Sequence, residues 1–80
     1  MEIKQEIRSF FQQYVDPKEL NDNTDVFKHG LIDLEVGPLQ IVVFLEKKFN
    51  ISVAEEDLQL ENFNSVNNIE RYVKRKIAEN

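Results

Sequence analysis

Asp33 and Glu35, two residues apart and just ahead of a Gly37-Pro38 step, form the first pair of side chains in this 80-residue chain that could do chemistry. Paired carboxylates can divide acid and base work when their surroundings pull their proton affinities apart. An enzyme also needs further convergent groups and a pocket, and the sequence supplies neither beside this pair. His29 is the single histidine, which excludes a histidine-based metal cluster and leaves a Ser-His-Asp relay only Ser9, Ser52 and Ser65 to draw on. His29 reads as an exposed loop residue. Glu55, Glu56 and Asp57 lack the alternating ligands and turn glycine of a calcium loop, and read as charges on the first turn of a helix. Gly30 and Gly37 belong to no phosphate-cradling motif. The absence of cysteine removes disulfides and thiolate metal sites. The expectation is a protein that is not an enzyme and holds no metal.

The elements that would position these residues follow from apolar spacing. Ile3, Ile7, Phe10, Phe11, Tyr14 and Val15 share one helical face, which predicts a helix from about Glu2 to Val15. Asp16-Pro17 ends it, because the residue before proline is pushed out of the α region. Residues 16–37 form a long connection, with a turn-rich Asn21-Asp22-Asn23-Thr24-Asp25 stretch and apolar residues Leu20, Val26, Phe27, Leu31 and Ile32 to pin it across the molecule. Pro38 suits the first position of a second helix, where its missing N–H is harmless. Leu39, Ile41, Val42, Phe44, Leu45 and Phe49 cover so much of that helix that it should be the most buried, ending near Asn50. A short acidic helix, Glu55-Glu56-Asp57-Leu58, comes next. Asn64 or Ser65 can cap a last helix whose inward stripe is Val66, Ile69, Tyr72, Val73 and Ile77. The aromatic residues Phe10, Phe11, Tyr14, Phe27, Phe44, Phe49, Phe63 and Tyr72 read as solid core. The fold expected is all-α: a small four-helix bundle of three main helices and one short one, with a long first loop, in a single domain over residues 1–80.

Fifteen acidic against ten basic residues give a formal charge of −5, which opposes nucleic-acid binding. An acidic domain suits partners with basic patches. Arg71, Lys74, Arg75 and Lys76 complement the dipole at the end of the last helix. Ile41-Val42-Val43-Phe44-Leu45 is too short to cross a bilayer, and the charged opening Met1-Glu2-Ile3-Lys4-Gln5-Glu6 does not read as a signal peptide. A monomer in the cytoplasm, without membrane or nucleic-acid contacts, is expected.

Several stretches, taken in order, resemble the acyl and peptidyl carrier proteins. Asp25-Val26-Phe27-Lys28-His29-Gly30-Leu31-Ile32-Asp33 looks like the family's run into its modification site, and Phe44-Leu45-Glu46-Lys47-Lys48-Phe49-Asn50-Ile51 like the end of its second helix. Val53-Ala54-Glu55-Glu56-Asp57-Leu58 and Glu61-Asn62-Phe63-Asn64-Ser65-Val66, with Ile69 and Tyr72-Val73, resemble its third helix and the start of its fourth. The similarity spans most of residues 3–77.

The resemblance implies a carrier that presents an acyl or aminoacyl thioester on a 4′-phosphopantetheine arm. Its implied partners are a phosphopantetheinyl transferase and acyl- or aminoacyl-transferring enzymes of fatty-acid, polyketide or peptide-type biosynthesis. The arm supplies the reactive group and the protein only presents it. The family attaches it to the serine of an Asp-Ser-Leu motif opening the second helix, where free N–H groups and the helix dipole suit a phosphate.

This chain departs there. Asp33 is followed by Leu34-Glu35-Val36-Gly37-Pro38, without serine. Alignment from the left puts Leu34 at the serine position, and alignment leftward from Phe49 puts Glu35 there, so a length change lies inside the motif. A serine between Asp33 and Leu34 would restore the family's wording. Otherwise the chain is a serine-less carrier fold that is not loaded and acts as a protein-interaction module, with Glu35 placing fixed negative charge where the phosphate would sit. On either reading the working region is Asp33, Leu34, Glu35 and Val36, with Glu35, Gln40 and Glu46 facing partners.

Overall fold

Three α-helices carry the fold in a computed structural model that describes residues 2–79: α1 (Ile3–Phe11), α2 (Gly37–Phe49) and α3 (Val66–Glu79). Met1 and Asn80, the ends of the expected domain, lie outside the described residues. Among the described residues there is no strand. Ile7, Phe10 and Phe11 of α1, Ile41 and Leu45 of α2, and Val66, Ile69, Tyr72 and Val73 of α3 meet in one core. Val15, Leu20, Val26, Ile32, Ile51 and Phe63 join it from the connections.

The first helix is shorter than its spacing predicts. From Gln12 the chain tightens, with the Gln13 N–H donating to Phe10 C=O at 3.2 Å and the Tyr14 N–H to Phe11 C=O at 2.9 Å. Overwinding rotates the last residues relative to a 3.6-residue turn. Val15 stays in the core, but Tyr14 emerges half exposed, against the expectation of a core aromatic.

The long connection is ordered by side chains before it is ordered by packing. Asp16 accepts the Lys18 N–H at the head of a 3-10 turn, Pro17–Glu19. Asp25 accepts the Phe27 and Lys28 N–H groups at 3.0 and 2.8 Å, an Asx turn that starts the next bend. The loop is stitched to the head of α3: Val26 N–H donates to Asn64 C=O, and Asn67 N–H to Asp22 C=O, both at 2.9 Å. Asp22 also pairs with Lys4 and Arg8 of α1. Leu20, Val26 and Ile32 are buried, and Phe27 and Leu31 pack partly against the core, as their spacing implies.

Three expectations about the later elements are corrected. The short acidic helix is a single 3-10 turn, Glu55–Asp57, followed by a second turn, Leu60–Asn62. Asp57 is drawn sideways to Tyr72 and Lys76, and the Asn62 side chain takes its carbonyl, so the turn does not propagate. The architecture is therefore three helices plus 3-10 turns rather than a four-helix bundle. The second correction concerns α2, which is not the most buried helix: Leu39 and Val43 face solvent, while Ile41 and Leu45 alone of its large residues are fully enclosed. The third is Ile77, which leaves the inward stripe of α3 and is exposed.

Candidate functional site

The entry to α2 is placed by a clamp beneath it. Gly30 turns the chain with φ +69°, a left-handed conformation natural to glycine. Leu31 and Ile32 then donate their N–H groups to the Val26 carbonyl at 2.9 and 3.1 Å. Ile32 goes into the core directly under Gly37, where any Cβ would collide with the Ile32 Cγ2 methyl and approach the Phe27 ring at 3.3 Å. Glycine at the first position of α2 is thus a matter of close approach.

Residues 33–36 bridge from this clamp to the helix and are all exposed, Leu34 at 55% and Val36 at 51%. The four residues expected at the working surface are therefore brought together on it. Asp33 organises them: its carboxylate accepts the Glu35 N–H at 2.7 Å and its carbonyl the Gly37 N–H at 2.8 Å. Pro38, second in the helix rather than first, has no N–H to offer. The helix start is thus largely closed by its own chain.

The remaining predicted residues separate. Gln40 is exposed one turn along. Glu46 is half buried, and its Oε2 accepts the Val53 N–H at 2.9 Å, tying the chain after α2 back to the helix. His29 is exposed in the loop. No group of three or more His, Cys, Asp or Glu that could hold a metal occurs among the described residues, and no helix is long and apolar enough to cross a membrane.

The serines fall elsewhere. Ser65 caps α3: its hydroxyl accepts the Asn68 N–H at 3.2 Å and its carbonyl the Ile69 N–H at 3.0 Å, and it is buried. Asn64, the other candidate cap, binds Asp25 and Asn68 through its side chain. Ser9 lies on α1 and Ser52 beyond α2. No side chain in residues 33–36 carries a hydroxyl, the helix-entry amides of Glu35 and Gly37 already have acceptors, and a carboxylate stands exposed at Glu35. These residues do not fit a serine phosphodiester.

One feature escaped the sequence reading. Leu34, Leu39 and Val42 on one side, and Leu58, Leu60 and Phe63 on the other, line an apolar groove of about 380 Å³ that opens beside the site. Of the aromatic residues expected as core, Phe10, Phe11, Phe63 and Tyr72 are buried, Phe27, Phe44 and Phe49 pack partly against them, and Tyr14 is exposed. The groove's far wall is held by Asp57, which accepts the Tyr72 hydroxyl at 2.9 Å and pairs with Lys76 at 3.5 Å. The Tyr72 hydrogen bond and the Lys76 charge outweigh partial burial and hold the Asp57 carboxyl below its ordinary value. Burial and the same carboxylate push the Tyr72 hydroxyl far up. Leu58 and Leu60, two apart in a stretch without helical period, were the only signal for this wall.

No family model matches the chain. It is 30% identical over 71 residues to the D-alanyl carrier protein of Bacillus velezensis, covering 86% of this chain and 90% of that relative. A long tethered loop, an exposed bend and a helix opening above a buried isoleucine sit in the stretches that resembled carriers from sequence. The chain belongs to the carrier-protein family.

Proposed function

We propose that this carrier protein, as its sequence stands, is not loaded and works as an interaction module, offering the bend at residues 33–36 and the first turns of α2 to the enzymes that handle loaded carriers. The observation that carries the reading is the bend itself. Transfer of phosphopantetheine needs a hydroxyl oxygen to attack the phosphorus of coenzyme A, and Leu34 and Glu35, the two residues that compete for the serine's place, have none. Glu35 instead presents one fixed negative charge at the surface, in the region where a phosphate would stand, so a transferase or acyl-transferring enzyme that reads carrier shape and charge meets both here. The chain performs no catalysis of its own.

The relationship to a D-alanyl carrier favours the other reading, a loaded acyl or aminoacyl carrier, and one experiment separates them. The protein is incubated with a broad-specificity phosphopantetheinyl transferase and tagged coenzyme A, and its intact mass is measured. The expected result is the unchanged mass of the chain; a stoichiometric gain of the arm overturns the reading. The same reaction run with an established carrier and increasing amounts of this chain reads the interaction. The expected result is a raised apparent KM for the carrier with kcat unchanged, and indifference to a large excess of the chain refutes the interaction role.

A further inference from the structure

Glu35, Leu39, Val43 and Lys47 recur every four residues along the entry and body of α2, which places them on one stripe of its surface. Leu39 is 67% and Val43 44% exposed, and Glu35 and Lys47 are exposed as well. The bend ahead of the helix keeps the stripe in register, because the Gly37 N–H to Asp33 C=O bond already spans four residues. Among the described residues neither Glu35 nor Lys47 takes part in an ion pair, whereas the neighbouring Lys48 is held by Glu6 at 3.1 Å. Beside the stripe lies a shallow depression of about 360 Å³, walled by Tyr14, Leu39 and Val43. Phe10 and Phe44 form its floor, stacked with ring centroids 4.4 Å apart.

The order of these four residues is antisymmetric: acid, apolar, apolar, base. Turned end over end by a two-fold axis through the middle of α2, the stripe becomes its own complement. Glu35 then meets Lys47 of the partner subunit, and Leu39 meets Val43 of the partner subunit, with the symmetric pair repeated on the other side. This is the geometry of an isologous interface. At the helical rise, Glu35 and Lys47 lie about 18 Å apart along a ridge of residues four apart that winds slowly round the helix, so a crossing of about 50°, the angle at which two such ridges pack, keeps both charged ends within reach of their counterparts. The depression beside the stripe receives the apolar side chains of the second helix. A second copy uses both charges of the stripe, the acid at one end and the base at the other.

We infer that the α2 stripe Glu35–Leu39–Val43–Lys47 is a self-association surface, on which a second copy of this chain docks antiparallel about a two-fold axis, in place of the monomer expected from sequence. The contact is small and reversible, since the net charge of −5 on each copy opposes it beyond the stripe.

Sedimentation velocity on the purified chain, from micromolar to near-millimolar concentration, tests this with no enzyme present, so its outcome is independent of the interaction role proposed above. A concentration-dependent dimer is expected. Leu39→Asp weakens it about tenfold or more, as loss of a central apolar contact does. Glu35→Lys and Lys47→Glu each weaken it about fivefold, because symmetry turns one substitution into two repulsive contacts. The double variant Glu35→Lys/Lys47→Glu returns to within about twofold of the parent, since the reversed charges pair again. Should Leu39→Asp lose its helical signal, Leu39→Ser replaces it as the apolar test. A chain that stays monomeric throughout overturns the inference, as does a dimer indifferent to Leu39 or one that the double swap fails to restore.

Discussion

The Asp33 carboxylate takes one N–H, from Glu35, and its carbonyl takes another, from Gly37, so a residue suggested by its charge acts chiefly as an Asx turn that shapes the bend ahead of α2. Replacing Asp33 with alanine leaves the Glu35 amide without its partner, and about 1 kcal/mol of stability should be lost, with asparagine retaining most of it. Urea unfolding reads this; an alanine variant as stable as the parent means that water replaces the bond at no loss. Gly37 is the second such position. Gly37→Ala sets a methyl against Ile32, and overpacking of this kind costs about 1–3 kcal/mol. An unchanged denaturant midpoint would show Ile32 free to move aside. Both residues were conspicuous in the sequence, Asp33 by its motif and Gly37 by its proline neighbour. Their roles were not, because a carboxylate hydrogen-bonded two residues along looks in sequence the same as one facing a partner.

Among the elements, α1 and α3 were legible from apolar spacing because each has a polar face to contrast with an apolar one. The ends resisted: Tyr14 and Ile77 continue the helical period beyond the point where the core needs them, and both emerge at the surface. The second helix misled for the opposite reason. Apolar residues surround it, so periodicity could not say that Leu39 and Val43 point away from the core. The turn at Glu55–Asp57 was hidden too, since a run of three acids suits a helix start and nothing nearby in sequence announces Tyr72 and Lys76 as its anchors. That anchor makes a pH prediction. Asp57 titrates below its ordinary value of 3.8 in the folded chain, so its contribution is complete above that value and is lost as pH falls through the lower folded value. Tyr72→Phe removes the largest cause of the shift. The variant should be less stable at neutral pH, and its deficit relative to the parent should shrink as the pH drops below 3.8. Chemical denaturation across that window checks this, and a deficit of constant size would assign the loss to packing alone.

At the scale of the whole molecule, the −5 charge does not translate into an acidic docking face. Around α2, Glu46 is turned back to the Val53 amide, Lys48 is paired with Glu6, and Lys47 stands exposed, which leaves Glu35, among the described residues, as the one carboxylate of the bend and α2 without an ion pair or hydrogen bond, beside an apolar stripe and an apolar groove. Exposed apolar surface gathered on one side in this way marks a contact region. Binding to a carrier-handling enzyme should then draw on buried apolar area more than on long-range attraction. Salt screens exposed charges over about 10 Å at 0.1 M and far less than that at 1 M, but leaves apolar burial intact. Raising salt over this range should weaken competition by this chain by no more than about threefold, while an acidic carrier binding the same enzyme loses distinctly more. The measurement is the inhibition constant of the chain at both ionic strengths, against the carrier's own KM. If the two rise in parallel, charges elsewhere on the surface steer the encounter, and the apolar face of α2 is not what the enzyme reads.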